Sequence, residues 1–231
     1  MAPPAPSMAA NAMNNPAEVE RALIAHLRQQ AAPDAAHDLA HILRVLATAR
    51  AIADEEGAHD PCVLTAAALL HDLVALPKNH PDRAQSSRLA AAAATEVLKG
   101  LGFPEARLGA VAHAIEAHSF SANIEPLTPE ARALQDADRL DALGAIGLAR
   151  CFAVSGALGR SLVDPEDPLA EHRPLDDGRW ALDHFQVKLL RLPELMRTAA
   201  GRRIGAERAA FVDAFMRRMA AECQAGIDEV R

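Results

Sequence analysis

The pattern of apolar and polar positions predicts helices along most of the chain. Over residues 38–56 apolar side chains recur at helical spacing on two nearly opposite sides, which is typical of a buried helix. His41 lies on one of these apolar sides, so we expect an inward imidazole. Over residues 61–70 nearly every side chain is apolar, which predicts a central helix covered on all sides. Asp60 is a good N-cap and Pro61 suits the first helical position, so this helix should begin there.

The same pattern predicts six further helices and one long irregular segment. Asn15 and Pro16 supply N-cap chemistry for the first, and Thr128 does so for the helix that carries Asp138. Residues 156–178 are rich in Pro, Asp and Gly, which indicates a long loop or lid before the C-terminal helices. The predicted helices are 15–30, 89–99, 104–118, the one that starts near residue 128, 181–191 and 205–224.

Composition favours one all-α domain. Half of the residues are hydrophobic but only 3% are aromatic, and alanine is abundant, as in closely packed helices. Residues 1–14 have no periodic apolar face and are expected to form a disordered leader. We therefore predict a single helical bundle over residues 15–225.

Charge and cysteine content limit the partners and the compartment. The net charge of −7 argues against broad binding to nucleic acid or to an anionic membrane surface. No run of about 18 apolar residues is present, and the N-terminus lacks signal-peptide features. Three cysteines in apolar helical contexts, Cys62, Cys151 and Cys223, indicate buried thiols rather than disulfides. We expect a cytoplasmic protein, and a homodimer is left open.

Candidate chemistry is concentrated at the polar end of the central helix, where His71 and Asp72 are adjacent. His41 lies upstream on a second helix and Asp138 downstream on a third. Two imidazoles and two carboxylates can hold a divalent ion and leave positions for water and substrate. The pattern therefore predicts a metal site.

The motifs around these residues resemble the HD-domain phosphohydrolase superfamily. The resemblance rests on HILRV at 41–45, AALLHD at 67–72 and DADRLD at 136–141. LPKNHP at 76–81 and HSFS at 118–121 are similar to a bacterial subgroup of predicted HD phosphohydrolases, some of which look like nucleotide pyrophosphohydrolases. The resemblance implies an all-α HD fold. It also implies that the metal ligands are His41, His71, Asp72 and Asp138.

The resemblance implies hydrolysis of a nucleotide or small phosphorylated metabolite. We expect cleavage of a nucleoside triphosphate to a monophosphate and pyrophosphate, with one divalent ion that activates water. Manganese is the first expectation; Fe, Co, Ni, Zn and Mg are alternatives. Alternative functions are a phosphomonoesterase, a non-catalytic metal and nucleotide sensor, and a binuclear iron oxygenase with a second metal on His113 and His118.

Other residues are candidates for proton transfer and for binding the substrate. Some HD nucleotidases carry a Glu three residues after the HD aspartate, whereas this chain has Ala75. The general base is therefore left open among Asp72, His80, His118 and a metal-bound hydroxide. Asp136 and Asp141 either orient a ligand histidine or belong to a polar helix face. The candidates for binding phosphate are Lys78, Arg83, Arg88, Arg139, His184 and Lys188.

Overall fold

The fold is all-α, as predicted. The computed structural model describes residues 13–29, 39–74, 76 and 80–228, with side chains to residue 223. This part of the chain contains nine α-helices and, in place of a strand, one isolated bridge between Ser161 and Trp180. The helices are α1 Pro16–Leu27, α2 Leu39–Glu56, α3 Pro61–Leu70, α4 Ser86–Gly100, α5 Glu105–His118, α6 Pro129–Asp141, α7 Gly144–Ala157, α8 Asp183–Val187 and α9 Ala199–Asp228.

Helix α3 is the centre of its part of the fold, as the apolar run predicts. Asp60 Oδ1 accepts hydrogen bonds from the backbone N–H groups of Cys62 at 2.9 Å and Val63 at 3.3 Å, which fixes the start of the helix. Every residue from Cys62 to Leu70 is buried, because α3 packs against α1, α2 and α5. Burial raises the pKa of the Cys62 thiol. The helix therefore delivers His71 and Asp72 from a rigid support.

The chain divides into two compact units. The first ends at Asp138 and the second begins at Arg139, so the boundary falls within α6. In the first unit α4 and α5 pack on one another through a tight turn at Gly102, whose φ of +75° favours glycine. In the second unit α9 packs against α7 and against the 3₁₀ segment Leu189–Leu195. The predicted single domain over residues 15–225 stays a prediction.

The N-terminal leader predicted over residues 1–14 falls largely outside the described residues. Of these, only Met13 and Asn14 are described: Met13 is buried, and Asn14 Oδ1 accepts a hydrogen bond from Arg107 Nη1 at 2.7 Å.

In the part of the chain that the structure describes, no single helix combines the length and apolar composition to cross a membrane. The bent pair α6 and α7 meets that test only when both helices are counted together.

The C-terminal helices differ from the prediction. The helix predicted over 181–191 is present but shorter: α8 spans Asp183–Val187, and a 3₁₀ segment, Leu189–Leu195, follows it. The chain leaves helical geometry at Lys188, with φ −131° and ψ −58°, and Pro193 within the 3₁₀ segment disfavours a return to a regular α-helix there, because proline lacks the N–H of a helical turn. Helix α9 begins at Ala199 rather than at residue 205 and runs to Asp228.

The irregular segment 158–182 in the second unit is tied together by an ion cluster around one buried carboxylate. Arg173 makes two hydrogen bonds to the fully buried Asp183, at 2.6 and 2.9 Å, and its Nε lies 3.2 Å from Asp164 Oδ2. The hydrogen bonds with Asp183 hold the pKa of Arg173 above its ordinary value. The Arg179 guanidinium carbon lies 4.5 Å from the centroid of the Trp180 ring, which is a cation–π contact. The segment is a braced loop; the lid role stays a prediction.

Candidate metal centre

Four helices of the first unit bring five polar side chains together. His41 lies in the first turn of α2, and His71 and Asp72 directly follow α3. His118 is the last residue of α5, and Asp138 lies near the end of α6. His41 and His71 are fully buried, and His118 is 6% exposed. Because apolar helices surround them, these imidazoles are held in fixed positions.

The imidazole nitrogens face carboxylate oxygens at distances of 3.4 to 4.0 Å. His41 Nε2 lies 3.6 Å from both Asp72 Oδ2 and Asp138 Oδ1. His71 Nε2 lies 3.4 Å from Asp72 Oδ2 and 4.0 Å from Asp138 Oδ1. His118 Nε2 lies 3.8 Å from Asp72 Oδ1. The four predicted ligands and His118 therefore lie in one cluster.

Backbone hydrogen bonds set the tautomers of His71 and His118. His71 Nδ1 donates to the Ala68 carbonyl at 2.8 Å, and His118 Nδ1 donates to the Ile115 carbonyl at 2.6 Å. A carbonyl oxygen only accepts, so in each neutral ring the proton is on Nδ1 and the lone pair is on Nε2. Burial lowers the pKa of His71 despite the neighbouring Asp72, which favours the neutral ring. Both Nε2 atoms therefore present lone pairs to the carboxylates.

This donor set fits a divalent cation. His71 Nε2 is buried and makes no hydrogen bond with any described residue. Acceptor atoms that face one another repel, and a cation between them makes both contacts favourable. Two groups, His41–His71–Asp138 and His71–Asp72–His118, each place one ligand atom per residue within 4.8 Å of the others. A mixed imidazole and carboxylate set suits Mn, Fe, Co, Ni or Zn.

Two further side chains hold the backbone beside this cluster, and sequence reasoning missed both. Gln135 Nε2 donates to the Ala117 carbonyl at 2.7 Å, next to His118. Ser86 Oγ donates to the Val74 carbonyl at 2.9 Å and accepts from the Leu76 N–H at 3.1 Å, which closes the loop after Asp72. Gln135 carried a sequence signal, since it is polar at an apolar position of α6, whereas Ser86 carried none.

The predicted cations and histidines near the His71–Asp72 pair have local partners. His80 Nδ1 accepts from the Asp82 N–H at 3.1 Å. Arg83 Nη1 donates to the Leu76 carbonyl, and exposed Arg88 donates to Gln85 Oε1 at 3.2 Å. Lys78, like Ala75, lies outside the described residues. The roles of these side chains in catalysis or phosphate binding stay predictions.

Three other predicted residues belong to the second unit. Arg139 Nη1 donates to the Leu195 carbonyl at 2.6 Å, and His184 Nδ1 lies 2.8 Å from Asp177 Oδ2. Lys188 is exposed, at the break after α8. The substrate-binding roles given to these residues also stay predictions.

The remaining candidates divide between the cluster and its surroundings. Among the described residues, the groups of potential ligand atoms include His118 but not His113, whose Nε2 accepts from the Leu127 N–H at 3.0 Å. Asp141 pairs with Arg150 Nη1 at 2.6 Å, and Asp136 is fully buried. The second metal on His113 and His118 stays a prediction.

Comparison with known proteins agrees with this geometry. The family model for the HD domain matches residues 38–143, which include all five side chains of the cluster. The uncharacterized protein YpgQ of Bacillus subtilis is 36% identical over 187 residues, which cover 79% of this chain and 82% of YpgQ.

Solved structures extend the similarity to most of the chain. An HD-superfamily hydrolase from Bacillus thuringiensis is 32% identical, with a TM-score of 0.68, over 90% of this chain and 98% of that one. The crystal structure of Bacillus subtilis YpgQ in complex with ADP is 31% identical, with a TM-score of 0.64, over 93% of this chain and 94% of that one.

Proposed function

Because the chain belongs to the HD-domain hydrolase superfamily, we propose that it is a metal-dependent phosphohydrolase that converts a nucleoside triphosphate to a monophosphate and pyrophosphate. The observation that carries the proposal is the convergence of buried imidazole nitrogens and partly exposed carboxylates in one cluster. The ADP complex of YpgQ supports a nucleotide as the substrate class. Manganese, a cytoplasmic location and a homodimer stay predictions.

Four side chains are proposed to hold the metal. His41 and His71 offer Nε2 atoms from a buried position, and Asp72 and Asp138 offer oxygens within 4.0 Å of them. A divalent ion bound there would polarise a phosphoryl oxygen and lower the pKa of a bound water. Asp72 and Asp138 are partly exposed, so the open side of the cluster faces solvent and is accessible to a phosphate group.

His118 is proposed as the proton acceptor. Its Nδ1–H is committed to the Ile115 carbonyl, so Nε2 has the lone pair that a general base requires. Asp72 Oδ1, 3.8 Å from Nε2, would stabilise the imidazolium that forms when the proton arrives. His118 would then act as the base in place of the Glu that some HD nucleotidases carry three residues after the HD aspartate, where this chain has Ala75.

Arg83 is proposed to contact the leaving phosphates. Its guanidinium has five N–H donors, of which one reaches the Leu76 carbonyl in the loop after Asp72. The remaining donors are available to a phosphate, and bidentate binding of phosphate by arginine is geometrically favourable.

The test is hydrolysis of ribo- and deoxyribonucleoside mono- and triphosphates with Mn²⁺, in which pyrophosphate and orthophosphate are assayed separately. We expect pyrophosphate from triphosphates and a loss of more than about 100-fold in Asp72→Ala, since even a residue that only orients a ligand contributes about 10–100-fold. His118→Gln should lose turnover while it retains its bound metal. If His118→Gln lost its bound metal together with its turnover, His118 would instead be identified as a metal ligand.

Two results would contradict the proposal. Orthophosphate alone, released from monophosphates, would identify a phosphomonoesterase of the same fold. Binding of metal and nucleotide without turnover would identify a sensor.

A further inference from the structure

Phe120 is an aromatic residue in an unusual position. Its side chain is 60% exposed, although phenylalanine normally lies in the core. It follows His118 by two residues, and His118 Nε2 lies in the candidate metal centre. An exposed apolar ring beside a polar site is typical of a surface that a ligand covers.

The turn that carries Phe120 is held open by its own side chains. Helix α5 ends at His118, and Ser119 leaves it in an extended conformation, with φ −71° and ψ 129°. The Ser119 and Ser121 hydroxyls hydrogen-bond at 3.1 Å across Phe120, and Asn123 turns the chain with a φ of +50°. Phe120 lies at the surface of this turn.

The far end of this turn is anchored as well. His113 Nε2 accepts the Leu127 N–H at 3.0 Å, which ties the loop back to α5. Arg132 donates to the Pro126 carbonyl at 3.2 Å and to the Leu127 carbonyl at 3.3 Å. The segment 119–127 is therefore a braced platform, and His113 serves it as a positioning residue.

The separation of Phe120 from His118 along the chain is short enough for one nucleotide to reach both residues. Two residues of extended chain span about 7 Å at most, so the Cα atom of Phe120 lies no farther than that from the Cα atom of His118. A nucleoside triphosphate exceeds this length. It can therefore place its phosphates at the metal centre and its base over the Phe120 ring.

We propose that Phe120 is the stacking surface for the nucleobase of the substrate. This inference rests on the proposed function and adds the residue that distinguishes a nucleotide from a polyphosphate without a base. Because every base presents a π-face, stacking tolerates base changes, and we expect weak discrimination among bases.

The test compares substrates with and without a base. Phe120→Ala should raise KM for ATP by about 10-fold, within the range of base–aromatic stacking, and leave kcat nearly unchanged. KM for inorganic tripolyphosphate should not change, because it has no base. Phe120→Tyr should restore the KM for ATP. Leu101→Ala is the matched control: Leu101 is an exposed apolar residue in the turn between α4 and α5, close to the start of α5, and the length of α5 puts about 20 Å between that start and His118.

A binding measurement separates this inference from the proposed function. Phe120→Trp adds a fluorophore, and ADP should quench its emission relative to the native protein, in which Trp180 is the single tryptophan. If no triphosphate is hydrolysed, the proposed function fails, and the ADP affinities of Phe120→Ala and native protein decide the stacking role. Equal ADP affinities, or an equal rise in KM for tripolyphosphate, would overturn it.

Discussion

Two polar clusters, one in each compact unit, differ in what faces their carboxylates. In the second unit Asp183 is fully buried, and it accepts two hydrogen bonds from Arg173 and a third from the Asp176 N–H at 2.7 Å. In the first unit Asp72 and Asp138 face imidazole Nε2 atoms, of which those of His71 and His118 act as acceptors.

The difference separates a stabilising cluster from a binding one. The positive charge that faces Asp183 belongs to Arg173 of the same chain. The Asp183 cluster therefore adds to the free energy of unfolding as soon as the loop folds, without a ligand. The imidazole and carboxylate acceptors of the metal centre gain their full attraction only when a cation arrives from solution. The Asp183 cluster therefore stabilises a loop, whereas the candidate metal centre is suited to bind an ion.

The largest effect should come from the Asp183 cluster. Asp183→Ala leaves the guanidinium of Arg173 without its main partner and should lower the free energy of unfolding by about 3–5 kcal/mol. Thermal denaturation, followed by circular dichroism, measures this loss. Asp183→Asn retains an acceptor for the Asp176 N–H and should lose less. Equal losses in both variants would show that the charge of Asp183 contributes little.

The metal centre should give a smaller and conditional effect. Mn²⁺ at about 100 times its dissociation constant should stabilise the native protein by about 2.7 kcal/mol. Asp138→Asn should abolish this shift without destabilising the metal-free protein, because one of the facing acceptors becomes neutral.

Asp141→Asn is the matched control on the same helix. Asp141 pairs with Arg150 at 2.6 Å, so its loss should lower the melting temperature while the Mn²⁺ shift remains. A Mn²⁺ shift that survives in Asp138→Asn and disappears in Asp141→Asn would reverse the assignment of the two carboxylates.

The smallest effect should come from the loop closed by Ser86. Ser86→Ala removes the hydrogen bonds to the Val74 carbonyl and the Leu76 N–H and should cost about 1 kcal/mol of stability. Hydrolysis of the preferred triphosphate should slow by a few fold through a raised KM, since the loop after Asp72 loosens. Ser87→Ala, one residue farther along α4, is the control, because Ser87 Oγ is buried without a hydrogen bond to a described residue. A greater rise in KM for Ser87→Ala would contradict this role of Ser86.

Local signals were sufficient for the part of the molecule that carries the cluster. Asp60, Pro61 and the apolar run after them define α3, and the structure has that helix where it was predicted. His41 on an apolar helix side indicated a buried imidazole, and its side chain is fully buried. These features depend on neighbours three or four residues away, which periodicity reports directly.

Features that depend on distant partners were not predictable in the same way. Arg173 and Asp183 pair across a loop with no periodicity, so the sequence indicated only an irregular segment. Arg139 donates to the Leu195 carbonyl, 56 residues away, and periodicity cannot indicate such a partner; its role in phosphate binding stays a prediction. The break at Lys188 that ends α8 also had no signal in the apolar pattern, since Pro193 lies farther along, within the 3₁₀ segment.

The enclosure of α3 also determines how the protein meets thiol reagents. Cys62 is 2% exposed, and burial raises the pKa of its thiol, so both effects protect it from alkylation in the native state. It can be alkylated only when α3 opens. The rate of Cys62 alkylation therefore measures the opening of the helix that carries His71 and Asp72, without any probe attached to the protein.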